Sequence, residues 1–481
     1  MKYKLSKYLF VAFALVLLAT SFNSCRKENF YNGSNSILSF SSDTLRFDTV
    51  FTELSTVTRF FKIENKTNTS VRLDKISLRN LDGLGTFRIN VDGTSGTSFF
   101  DVEVPAKDYI YVFVEATVDP NSQTNPFVII DEILYEYGDV QQVSYLSAWG
   151  QNAYYHVGEI YENSANITWN NDLPHVILRN DTFPGVGVDS SSVLNIVPGC
   201  RIYVAQGAGL FVDGQLYIGN STSQDSVVFR SNRIETLQNG IDFEDNPGLW
   251  QGIALFSGSK AEIYNTCINQ AIWGIQARHY SEEITDMVDD SGRPDILLDK
   301  VQIKNSAQNA LVAINAKLVV RNSMFYSSGS TTVAIGLGGD VKFDNCTMFN
   351  NGVSGSDASS TLVLSNYAQT SSGTGVNDLD VGNFTNCIVY GSDVEKMAFS
   401  KDDQATFNYA FKNCLLKTEL EAQGGFTNCI FNQDPLFESS SDSDFHLRDN
   451  SPAIAAGFNN GIMVDLYFRP RASFDIGAIA Y

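Results

Sequence analysis

Histidine is scarce. Only His156, His175, His279 and His446 occur in 481 residues, and none sits in a His-Glu-x-x-His pair able to seat a catalytic zinc. The chain has no Gly-x-Ser-x-Gly turn to expose a nucleophilic serine and no Gly-rich loop ending in Lys-Ser or Lys-Thr to cradle a triphosphate. Zinc proteolysis, serine hydrolysis and nucleotide hydrolysis therefore lack their signatures, and no nucleotide partner is expected. Basic residues are few as well: 33 Lys and Arg stand against 54 Asp and Glu, a net charge of −21. That balance opposes the phosphate contacts on which nucleic-acid binding depends, so nucleic acid is not an expected partner. The seven cysteines include no close pair of the metal or redox type. No apolar run approaches the roughly 20 residues of a bilayer-spanning helix.

What is present begins with a leader. Lys2, Lys4 and Lys7 precede an apolar run over residues 8–19 and then small residues to Ser24, the order of a secretory signal. The string Phe22-Asn23-Ser24-Cys25 resembles the end of a bacterial lipoprotein signal, with Phe22 where that family prefers an aliphatic residue. The resemblance implies cleavage after residue 24, acylation of Cys25 and a membrane partner held through lipid. Arg26, where an inner-membrane lipoprotein would carry Asp, implies an address at the outer membrane of a Gram-negative bacterium, at the cell surface. Each buried acyl methylene adds roughly 0.8 kcal/mol, so several chains make a lasting anchor. An ordinary leader followed by a chance cysteine is the alternative.

Residues 25–36 form a polar tether. From 37 to 152 the chain holds eight candidate strands: 45–47, 58–63, 71–78, 86–91, 101–104, 109–116, 129–137 and 142–148. Turn signals such as Asp92-Gly93 and Gly138-Asp139 separate them. This density without helical period predicts an antiparallel sandwich. The stretch is similar to the Ig-like domains that precede binding or catalytic domains of bacterial surface proteins, although it has no cysteine pair. Its expected role is that of a spacer.

Beyond residue 153 a short phrase returns: Val320-Arg321-Asn322-Ser323, Phe343-Asp344-Asn345-Cys346, Phe384-Thr385-Asn386-Cys387, Phe411-Lys412-Asn413-Cys414 and Phe426-Thr427-Asn428-Cys429. Looser copies lie at 303–306 and around Cys267. The apolar residue and the cysteine are three apart, which in an unbroken strand would place them on opposite faces. Asn tolerates the left-handed backbone that bends the chain and brings both inward. Once per turn, this geometry predicts a β-solenoid with stacked Asn and stacked, reduced Cys; Cys414 and Cys429 are the pair placed best for a disulfide. A sandwich or propeller with fortuitous Asn-Cys pairs competes with it.

The run from Asn195 to Gly219, broken at Gly199, Gly209 and Gly214, resembles the opening turns of right-handed, pectate-lyase-like parallel β-helix proteins, and the resemblance extends over residues 153–437. Residues 438–481, with Ser451-Pro452-Ala453-Ile454-Ala455-Ala456-Gly457, resemble the closing segment of the same family, which usually carries Asp where this chain has Ala455. That segment is expected to cap the solenoid.

Chemistry, if any, is expected in the turn over residues 278–300. Enzymes of the β-helix family neutralise a uronate with a cation and use a Lys or Arg base, or pair two acids. The catalytic candidates are Arg278, His279, Asp286 and Lys300; the ligand-binding candidates are Trp273, Tyr280, Asp289, Asp290 and Arg293. The acidic cluster offers oxygens of the kind calcium takes, but residues 289–295 lack an EF-hand order, and no metal or cofactor is expected. A solvated acidic loop is the bland reading. The expectation is an all-β surface lipoprotein that binds a polysaccharide or a surface protein in an adhesive role. The alternative is a polysaccharide lyase or glycoside hydrolase, since one fold carries both.

Overall fold

The computed structural model describes residues 30–481 except 53, 55, 57, 82–85, 119–126, 235–242, 244–245, 280–291, 354–359, 371–372 and 394. Cys25, Tyr280, Asp286, Asp289 and Asp290 lie outside the described residues. The chain divides into two compact units, Met1–Asn152 and Ala153–Tyr481.

In the first unit, period-two alternation builds two five-stranded sheets around one core. Along Asp108–Ala116, Ile110, Val112, Val114 and Ala116 are buried while the residues between them face out. All eight strands expected from the sequence form. Two further strands, Leu38–Phe40 and Thr94–Gly96, are three residues long and too short to show alternation in sequence. Thr44–Phe51 pairs in parallel with Val140–Gln151, while Val140–Gln151 also pairs antiparallel with Phe127–Tyr137.

The second unit is a parallel β-solenoid. Twenty-six strands from Tyr154–Val157 to Ile430–Phe431 join one continuous sheet, each pairing in parallel with the strand one turn further on. Its interior is a single column of Val, Ile, Leu, Phe and Cys. Phe343, Phe384 and Phe411 stack face to face, with centroids 5.0 and 4.5 Å apart. Cys346, Cys387 and Cys414 lie fully buried and are free thiols. The Sγ of Cys414 donates to the carbonyls of Phe384 and Lys412 at 3.4 Å, and burial pushes its thiol well above the ordinary range.

The five asparagines of the repeat have φ between +45° and +54°, the bend that turns Phe and Cys inward together. Register extends this column backwards to Asn265 and Lys300, also at positive φ. The phrase at 303–306 belongs elsewhere: Asn305 occupies the next corner, with Gln270 and Ser327.

Asn side chains do not simply stack on one another. They grip the C-terminal segment. Asn386 Nδ2 donates to the carbonyl of Phe458 while its Oδ1 accepts from the Phe458 N–H, both at 2.7 Å. Asn413 donates to Ala456 O at 3.0 Å, Asn345 accepts from Asn460 at 2.8 Å, and Asn322 accepts from Arg471 at 3.2 Å. The segment lies along the flank of the coil rather than over its last rung. The cause is apolar: Met324, Tyr326, Phe349, Ile388 and Leu415 point outward from successive rungs and need the cover of Phe437, Phe445, Leu466 and Ile476. At the last rung, Phe426, Cys429 and Phe431 stay only partly buried.

Ala455 sits at φ +52° and is exposed. Its N–H donates to Asp475 at 2.8 Å. Ala455→Gly or Ala455→Asn is expected to raise the unfolding free energy by about 1 kcal/mol, because the left-handed backbone penalises a Cβ and Asn tolerates it. Urea titration of each variant against the parent checks this; an unchanged midpoint in both would refute it.

Candidate functional site

The solenoid has three sheet faces, and their outward residues differ in kind. The first carries the apolar row that the C-terminal segment covers. On the second, register sets charges of alternating sign above one another: Lys260, Asp295, Lys317 and Asp340 in one column, Asp299, Arg321 and Asp344 in another, with Glu262, Leu297, Val319 and Lys342 between them. Such columns satisfy themselves and stay solvated.

The third face is different. Phe211, Ala254, Gln276, Val312, Ala334, Val363 and Ala398 lie in register on seven consecutive strands, alternating with core residues such as Leu210, Ile275 and Leu311. The strip is small and apolar and its members are half-buried, except Gln276, the one polar member, which is buried. Beside it, Trp273 donates through Nε1 to Gln308 Oε1 at 2.7 Å, and the Arg278 guanidinium lies 5.9 Å from the Trp273 ring centroid. That pairing offers an apolar ring with a cation and a primary amide at its edge. The antiparallel hairpin Tyr367–Thr370 with Gly373–Val376 rises next to the strand Val333–Asp344.

The residues singled out in the sequence disperse over these faces. Trp273 and Arg278 border the apolar strip. His279 turns into the neighbouring corner, its Nδ1 2.9 Å from Ser257 Oγ. Arg293 is buried and lies 3.6 Å from Asp340, on the side of the charged face. Lys300 takes an asparagine position in the corner column, 3.3 Å from Asp299 and over the ring of Phe468. The cluster read from linear proximity is thus split by the coil: a turn of about twenty residues passes through more than one face. Among the described residues no three His, Cys, Asp or Glu side chains form a metal-binding group.

Sequence reasoning gave His156 and His175 no role, yet they form a buried polar plug inside the first turns. His175 Nε2 donates to the carbonyl of Asn170 at 2.8 Å. Its Nδ1 lies 2.9 Å from His156 Nε2, so in the neutral pair His156 is the donor. His156 Nδ1 faces Tyr161 Oη at 3.2 Å and Glu159 at 3.1 Å, and Tyr161 accepts from Trp169 Nε1 at 3.1 Å. Trp169 stacks on both imidazoles, at 4.2 and 4.7 Å. The signal was one ionisable histidine in each of two short apolar strands, Tyr-Tyr-His-Val and His-Val-Ile-Leu.

Burial pushes His175 down to about 4, and burial likewise lowers His156 against the opposing pull of Glu159. An unfolded histidine titrates near 6.5. Between those two values the unfolded chain binds protons the folded chain refuses, so stability falls as pH drops from about 6.5 to about 4 and is level above that window. The expected loss is on the order of 3 kcal/mol. Urea midpoints at pH 7 and pH 4, compared between the parent and a His156→Gln, His175→Gln double variant, measure it. Equal pH dependence in both proteins would refute it.

No protein-family model and no curated protein matches this chain. Among solved structures, a family 123 glycoside hydrolase from Clostridium perfringens, described in work on glycolipid glycan hydrolysis, is similar over 26% of this chain and 30% of that one. The identity is 8% and the TM-score 0.19, a likeness too slight to carry that enzyme's chemistry across.

Proposed function

We propose that this chain is a lipoprotein of the Gram-negative cell surface, anchored through Cys25, that binds a glycan or a surface protein through the apolar strip of its solenoid. The N-terminal unit serves as an Ig-like spacer. The observation that carries this reading is the division of labour among the three faces. Along the rungs from Met324 to Leu415 one face is occupied by the chain's own C-terminal segment, another carries columns of opposed charge, and the strip beside Trp273 and Arg278 has neither. Half-buried apolar ground beside an aromatic ring, an Arg and an amide suits the C–H faces and hydroxyls of sugar rings.

The described residues favour binding over turnover. Lys300 and Arg293 are turned to other faces than Arg278, so a charge-neutralising cation and a base do not converge. The test is a glycan array read alongside an ultraviolet assay for unsaturated uronates. Retention on the array, weakened about tenfold by Trp273→Ala and by Arg278→Ala, is expected. Retention unchanged in both variants would sink the strip as the binding surface. Release of unsaturated or reducing sugar would transfer the reading to the lyase or hydrolase alternative.

A further inference from the structure

The outer face of one sheet of the N-terminal unit carries aromatic rings where a mere spacer needs none. Along Asp108–Ala116 the outward residues are Tyr109, Tyr111, Phe113 and Glu115. On the adjoining strand Arg59–Asn65, Phe60 stands opposite Phe113 and Lys62 opposite Tyr111. Tyr111 stacks on Phe113 at 5.7 Å, and Phe60 meets Tyr111 edge-on at 5.3 Å. Cross-strand aromatic pairs steady a sheet by roughly 0.2–1 kcal/mol each. That accounts for one end of the row, where Lys62 covers the Tyr109 ring with Nζ 4.0 Å from its centroid.

The Phe113 end is not closed in this way. It borders an open groove of about 770 Å³, lined on the far side by Arg88, Asn90, Ser95 and Thr58. On the strand Phe87–Val91, Asn90 stands opposite Phe113 and Arg88 opposite Glu115. Asn90 donates through Nδ2 to Ser95 Oγ at 3.0 Å, which fixes the amide, while its Oδ1 is buried from solvent with no hydrogen-bond partner. An acceptor held in this state costs free energy unless something donates to it.

We infer that this groove is a second ligand site, distinct from the solenoid strip, and that it takes a neutral oligosaccharide. The Phe113 ring supplies an apolar face for the C–H side of a pyranose. Arg88, which is exposed, and Glu115 opposite it donate to and accept from a vicinal pair of hydroxyls. One cation and one anion side by side leave the floor without net charge, and the chain's overall −21 disfavours uronate, sulfate or phosphate ligands. A peptide strand is disfavoured because the sheet edge beside the groove, Thr94–Gly96, is three residues long and gives little length for strand addition.

The experiment is affinity electrophoresis of the full chain through gels containing soluble β-linked xylan, mannan or glucan, with polygalacturonate as the acidic probe. Retardation by at least one neutral polymer is expected, and in a Trp273→Ala background, where the strip is disabled, the remaining retardation is expected to weaken about tenfold on adding Phe113→Ala or Arg88→Ala. Arg88→Ala removes an exposed side chain, and a melting temperature equal to the parent's certifies that variant as folded. Retardation unchanged by either groove variant, retardation by polygalacturonate alone, or no retardation by any neutral polymer would each overturn the inference. Loss in Trp273→Ala with none in the groove variants would overturn it while leaving the solenoid reading standing.

Discussion

Replacing Phe384 by Ala is expected to lower the unfolding free energy of the solenoid by about 3–5 kcal/mol, the range for removing a large aromatic side chain from a close-packed core. Phe384 is fully buried and sandwiched between Phe343 and Phe411, with interplanar angles of 12° and 7°. Both stacking contacts go with the ring. Each neighbour is held by its own rung's backbone pairing, so the column has little freedom to close over the cavity. Phe384→Leu is expected to lose less than half as much, since it keeps most of the volume. Urea unfolding followed by circular dichroism reads both. A loss below about 1.5 kcal/mol for Phe384→Ala would mean that the rungs slide together, and the column is then not the rigid stack described.

Asn386→Ala is expected to cost about 3 kcal/mol, for two separable reasons: lost hydrogen bonds and backbone strain. The side chain makes a reciprocal pair with the N–H and C=O of Phe458, and Asn386 O accepts from Gly477 N–H at 2.8 Å. Alanine orphans both groups of Phe458 and places a Cβ at φ +54°. Asn386→Gly relieves only the second effect, so it is expected to be about 1 kcal/mol less damaging than Ala. Amide hydrogen exchange at Phe458 supplies an independent reading, since its protection is expected to fall in both variants. Equal and small losses for Ala and Gly, with Phe458 still protected, would show that the segment is held by its apolar contacts alone.

The repeat phrase made the fold legible because every part of it has a local cause. Asn at a bend, Phe and Cys flanking it, and glycine between short strands are matters of backbone conformation within five residues, and sequence displays them directly. The same holds for alternation in strands such as Val71–Leu78, whose ends coincide with those read from the sequence. What did not show was anything set by register across turns. Lys300 gives no sign in sequence of occupying an asparagine position, because its neighbours above and below are 35 and 22 residues away. Arg278 and Arg293 look adjacent in a turn, yet the coil carries them towards different faces. The grip of the Asn side chains on Phe458 and Ala456 depends on contacts spanning 72 and 43 residues. The groove beside Phe113 was hidden for a related reason: aromatic alternation in a strand reads equally as core or as surface until the partner strand is placed.

The C-terminal segment changes what sort of object the coil is. A stack of rungs in which each touches only its neighbours unfolds like a zipper, fraying from either end and tolerating the loss of a turn. Here one ribbon of chain reaches back from Arg471 to Asn322, 149 residues away, and on its way touches the rungs of Asn345, Asn386 and Asn413. Those four rungs share a common fastening, so none can open without releasing bonds to the others, and the region behaves as one cooperative block rather than a series of semi-independent links. The fastening is also made after every rung it holds. Until residues 437–478 have been made, the outward row from Met324 to Leu415 has no cover, and the nascent coil is a sticky intermediate that this segment completes.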